Sequence, residues 1–157
     1  MRLPRTITML LLSIILAITV GNATSRATTT TPNPVLVLPN PVLYLIGTEP
    51  FSKGGVDYIR YNYDVDNKFS YPNDLFAPAP ALPPCGANTN SSRTWLDIFD
   101  QRGKRLYGFC ALGKAADLYG ISFAVPADEV PPSWVYIELN DRQTNTKYKS
   151  NLAETTP

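Results

Sequence analysis

The stretch Val56–Asp66, VDYIRYNYDVD, decides the fold class. On an extended chain Ile59, Tyr61, Tyr63 and Val65 fall on one face, and Tyr58, Arg60, Asn62, Asp64 and Asp66 on the other. Such period-two alternation is the signature of a half-buried strand. Asn67 and Lys68 follow as turn residues. Downstream the same period returns. Thr94–Asp100 places Leu96 and Ile98 opposite Trp95, Asp97 and Phe99, and Asp100–Gly103 is a turn signal before a partner strand from Lys104 to Ala111. Tyr119–Val125 aligns Tyr119, Ile121, Phe123 and Val125, and Trp134–Asn140 aligns Val135, Ile137 and Leu139. A polar turn at 141–145 closes a second hairpin through Thr146–Asn151.

Convincing 3.6-residue periodicity is absent after residue 23, although Gly113–Leu118 suits a single helical turn. Fifteen Pro and nine Tyr fit a pleated, frequently interrupted chain. The expected architecture is all-β: an antiparallel two-sheet sandwich of about seven strands, with a small barrel as the alternative.

Upstream, residues 1–23 read as a cleavable signal peptide. Arg2 and Arg5 precede an apolar run from Ile7 to Val20, and Gly21-Asn22-Ala23 supplies small residues before a cut after Ala23. The run is shorter than the roughly 20 residues a spanning helix needs. The reading is therefore a secreted or periplasmic protein without stable membrane insertion after cleavage. Residues 24–41 read as a flexible Thr/Pro-rich leader, 42–152 as the sandwich and 153–157 as a disordered tail. Within and after the leader lies a tandem repeat, PNPVLVL at 32–38 and PNPVLYL at 39–45, the second copy serving as a first strand.

Cleavage would remove two Arg and no acids, moving the net charge from +1 to −1. A near-neutral chain without basic clusters is a poor partner for nucleic acid. In an exported protein, Cys85 and Cys110 most simply form one disulfide, worth about 3.5 kcal/mol on the chain-entropy model. A redox pair and free thiols are the alternatives, and the absence of a CxxC argues against thiol exchange. The bridge would tie the Pro-rich connection from Phe69, with its run APAPALPP at 77–84, to the hairpin strand.

These features resemble a small secreted immunoglobulin-like or fibronectin type III-like domain. The resemblance rests on strand spacing, on Trp95 in a middle strand and on the terminal hairpin at 135–151. It implies Tyr136 at the position of a tyrosine corner. Cys85, Trp95 and Cys110 are too compressed for the antibody-type pattern, and the fold alone implies no ligand.

The chain has no His, which removes Ser-His-Asp and Cys-His catalysis and His-ligated zinc. No cofactor is expected. Asp64 and Asp66, with Asn67 beside them, have oxygens at a spacing that suits Ca²⁺. Against this stands a solvated strand face. Asp97 and Asp100 flank a turn, where hydrogen bonding is their ordinary work. Together these carboxylates would serve a small hydrolase. The loop 77–85 could present itself as a protease inhibitor or docking element. Pro78, Pro80, Leu82, Trp95 and Trp134 form the candidate binding surface for an unknown protein or carbohydrate. Asn90-Ser91-Ser92 is a glycosylation sequon in a eukaryote. The function expected is a non-enzymatic binding or structural module.

Overall fold

A computed structural model describes residues 37–83, 92–109 and 112–156. The residues read as a signal peptide, most of those read as a leader, both Cys and Asn90 lie outside the described residues. Two antiparallel sheets are present, which makes the domain a sandwich and not a barrel. β1 (Leu43–Lys53), β2 (Val56–Val65) and β5 (Ile121–Pro126) form one, in the order β1-β2-β5. The other holds β3 (Thr94–Asp100), β4 (Arg105–Phe109), β6 (Trp134–Asp141) and β7 (Thr146–Lys149), in the order β4-β3-β6-β7. A two-residue strand β8 (Ala153–Glu154) also pairs with β6.

Alternation puts the predicted residues inside. In the first sheet Tyr61 opposes Phe123 and Tyr63 opposes Ile121. In the second, Leu96 opposes Leu139 and Ile98 opposes Ile137. All eight are buried, and each aliphatic one contributes about 1.5–3 kcal/mol by leaving water. The β1–β2 hairpin turns on Gly54-Gly55, both at positive φ (61° and 79°), as a two-residue turn between twisted strands requires. In the β3–β4 turn the Asp100 carboxylate accepts the main-chain N–H groups of Arg102 (2.9 Å) and Lys104 (2.8 Å), and Gly103 supplies φ 84°.

Several expectations need correction. The Pro-rich connection is not simply extended. Lys68–Ser70 and Asn73–Phe76 form 3-10 turns, and the connection delivers Tyr71, Leu75 and Phe76 to the core. Apolar side chains interleaved with Pro72 can be buried without a ladder, because a turn satisfies its own main chain. Residues 153–156 are not the disordered tail expected: Ala153 and Thr155 are buried, and the Thr155 hydroxyl donates to Pro132 O at 2.6 Å. The end of the leader is held as well, since Pro41 is buried and the Tyr71 hydroxyl donates to Pro39 O at 2.7 Å. Tyr119 lies before β5 and is exposed, so it does not share the inward face of Ile121. Tyr136 points outward, stacked on Phe99 at 5.2 Å with the Lys149 ammonium 3.9 Å over its ring.

Candidate functional site

The Asp64–Asp66–Asn67 group cannot act as the calcium site its spacing suggested. Asp64 is buried, not solvated, because Lys68 folds back from the turn. Its ammonium lies 3.0 and 2.7 Å from the two carboxylate oxygens. Tyr44, opposite Asp64 in the β1–β2 register, donates its hydroxyl to Asp64 Oδ2 at 3.0 Å. The hydrogen bond to Asp64 raises the Tyr44 pKa, and the same kind of bond raises that of Lys68. Asp66 is exposed beyond the strand end. Asn67 Oδ1 accepts the Val42 N–H at 2.9 Å while Nδ2 donates to Asn40 O at 2.9 Å. The cluster is a structural clamp filled by an ammonium. No group of three or more His, Cys, Asp or Glu suited to a metal occurs among the described residues.

The carboxylates proposed for hydrolysis are not assembled. Asp64 and Asp66 belong to the end of β2, Asp97 to the middle of β3, and Asp100 is consumed by its turn. The candidate binding residues are also dispersed. Pro78 and Pro80 are exposed and Leu82 half-buried on a loop held by an isolated bridge between Pro78 and Ser92. Arg142 pins the same loop from Ser92 O (2.8 Å) to Pro83 O (2.6 Å). Trp95 opposes Asn140, whereas Trp134 lies one residue beyond the Asp100–Val135 pair. Six rungs separate the two indoles, about 20 Å along the strands.

What the sequence reading missed is a built arrangement around Trp95. β3 presents Trp95, Asp97 and Phe99 outward, as its alternation predicts. The Trp95 indole N–H donates to Asp97 Oδ1 at 2.6 Å. The Arg105 Nε–H donates to the same oxygen at 2.5 Å, and its guanidinium carbon sits 5.4 Å from the Trp95 ring centroid. Gly108 opposes Asp97 in the β3–β4 register. A Cβ there would collide with the Arg105 guanidinium and approach Asp97 Oδ1 to 2.7 Å. The glycine thus holds open the space in which Arg105 lies. An isolated Gly inside the strand RLYGF was the available signal, since such a residue marks close approach.

Beside the indole is a shallow depression of about 270 Å³, lined by Trp95, Asp97, Asn140, Asp141, Arg142, Asn145, Thr146 and Lys147. Asn140 Nδ2 donates to Glu138 O at 3.3 Å, and its buried Oδ1 has no hydrogen-bond partner. Lys147 pairs with Glu138 at 3.3 Å. Asp141 receives Arg93 through both oxygens (2.9 and 2.6 Å) together with the Thr144 hydroxyl at 2.8 Å and the Gln143 N–H at 3.0 Å. Burial opposes its charge, but the bonds from Arg93, Thr144 and Gln143 outweigh burial and hold its pKa down at about 2. Asp141 therefore stays charged, and paired with Arg93, at neutral pH.

A second concavity, about 440 Å³, lies on the outer face of the other sheet against Tyr107 and Phe109 of β4. Its Arg60 is occupied by Glu49 at 3.0 Å and covers the Phe51 ring at 4.6 Å. No family model, no curated protein and no solved structure matches the chain.

Proposed function

We propose that the protein is an exported, non-enzymatic binding module that takes a carbohydrate on the outer face of the β4-β3-β6-β7 sheet at Trp95. The observation that carries this reading is the immobilised indole beside a polar depression. A sugar ring offers an apolar C–H face and a rim of hydroxyls. A Trp held in place by Asp97 and Arg105 suits the former without an ordering cost. The depression mixes acceptors and donors, among them the exposed side chains of Asn145, Thr146 and Lys147, which suits the latter.

Export is supported by the Arg2/Arg5 and Ile7–Val20 pattern. The Cys85–Cys110 bridge belongs to the same proposal. Flanking chain from both cysteine segments is tied together, since the Ser92 hydroxyl donates to Leu112 O at 3.2 Å. Strand order supports an immunoglobulin-like or fibronectin type III-like domain, with β4 paired to β3 instead of β5, so that the β3-β6-β7 sheet gains an edge strand that the three-stranded constant-type sheet lacks.

The test is a glycan array with the secreted wild-type chain and Trp95→Ala. Wild-type binding that Trp95→Ala abolishes, with its unfolding midpoint kept, is the expected result. A wild type that binds no glycan, or a variant that binds equally well, overturns the assignment.

A further inference from the structure

The duplicated heptapeptide acquires a meaning once its second copy is seen in place. Residues 39–45 sit in a clamp that reads main chain far more than side chain. Tyr71 takes Pro39 O, Asn67 takes Asn40 O and Val42 N–H, and the Asn151 carboxamide takes both Leu43 N–H (2.8 Å) and Leu43 O (2.9 Å). The side chains that enter the interior are Pro41 and Leu43, with Leu45 half-buried against the same core and Leu38, the end of the first copy, packed there just ahead of them. The first copy, 32–38, carries the same residues at all these positions, with Pro34 and Leu36 matching the buried places. It differs only in Val37 for Tyr44, which forgoes the hydroxyl bond to Asp64. The joint between the repeat and the rest of β1 is also marked. The β1–β2 register shifts between Leu45 and Gly47, so Ile46 is an unpaired bulge directly after the second copy. An insertion at a bulge leaves the pairing on either side unchanged.

We propose that the clamp accepts either copy: residues 32–38 can replace 39–45, which then leave as a loop enlarging the Ile46 bulge while Gly47–Lys53 stay paired with β2. The exchange is intramolecular, since a tethered donor outcompetes one on another molecule. It draws the leader inward by seven residues, roughly 23 Å of extended chain. The Tyr44–Asp64 bond and the closed loop both favour the second copy, so the slipped register is the minor one in the native chain.

Four full-length proteins test this: wild type, Leu36→Asp, Leu43→Asp and the double variant, with thermal midpoints read over a range of protein concentration. Exchange predicts that Leu36→Asp is silent in the wild type and lowers the midpoint by several degrees in the Leu43→Asp background. Leu36→Asp that is silent in both backgrounds overturns the proposal. Rescue that grows with protein concentration places the donor on a second chain and overturns it too. Should Leu43→Asp not fold, Leu43→Ala carries the same comparison, and non-folding of Leu43→Asp together with additive effects in the Ala series counts against exchange.

Discussion

The Asn151 carboxamide brackets the main chain of Leu43, accepting its N–H at 2.8 Å and donating to its C=O at 2.9 Å. A side chain thereby does the work of a neighbouring strand at the free edge of β1. It can reach because β7 and β8 are one interrupted strand along β6. At the interruption, Ser150 Oγ accepts the Ile137 N–H at 2.9 Å in place of a carbonyl. Replacing Asn151 with Ala removes both hydrogen bonds to Leu43 and an exposed third one to Leu152 O, and should cost about 2 kcal/mol in urea unfolding. Amide exchange at Leu43 should accelerate before that of the β3–β6 ladder. An unchanged midpoint would show that water replaces the carboxamide without loss.

Gly108→Ala should cost about 1 kcal/mol, because Arg105 is half exposed and can swing into solvent while the Asp97 carboxylate must turn away from the new methyl group. It should also release the Trp95 indole. In a Trp134→Phe background, Trp95 fluorescence should red-shift and its near-ultraviolet dichroism should weaken. Arg105→Gln should give the same spectra. Spectra unchanged in both variants would mean that Asp97 alone orients the ring.

The strands were legible because period-two patterns record burial directly: Ile59 to Val65, Leu96 with Ile98, and Val135 to Leu139 lie where alternation places them. Asp64 was not legible. Its parity is that of an outward residue, and only the fold-back of Lys68 and the register with Tyr44 close it off. The Trp95 arrangement was half legible. Its indole and Asp97 share a face by spacing, but Arg105 and Gly108 join them through a hairpin register with an irregularity after Ile98. Gly54-Gly55 announced the first hairpin and passed unread because β1, broken by Gly47 and Pro50, lacks clean alternation.

Calcium at millimolar concentration should leave the unfolding midpoint unmoved, since Lys68 already neutralises Asp64. Asp64→Asn should lower the midpoint by stranding that ammonium. The folded Lys68 pKa lies above its ordinary 10.5, so this contribution is complete below that value and vanishes as pH climbs through the raised one. The wild-type advantage over Asp64→Asn should thus persist to about pH 10 and shrink beyond. Stabilisation by calcium would restore the metal reading.

Asp141 sets the acid limb. Its folded pKa near 2 lies below the ordinary 3.8, so its contribution is complete above about pH 4 and is lost as pH falls towards 2. The shift corresponds to about 2 kcal/mol. Asp141→Asn keeps the shape but leaves Arg93 facing a neutral amide, and should destabilise the domain by about 2–3 kcal/mol at pH 7. Chemical denaturation of both proteins between pH 7 and pH 2 should show the gap closing across that acid window. Asp141 also lines the depression beside Trp95, so glycan binding should weaken over the same window. A gap that stays constant to pH 2 would show that Arg93 holds the turn by shape rather than by charge.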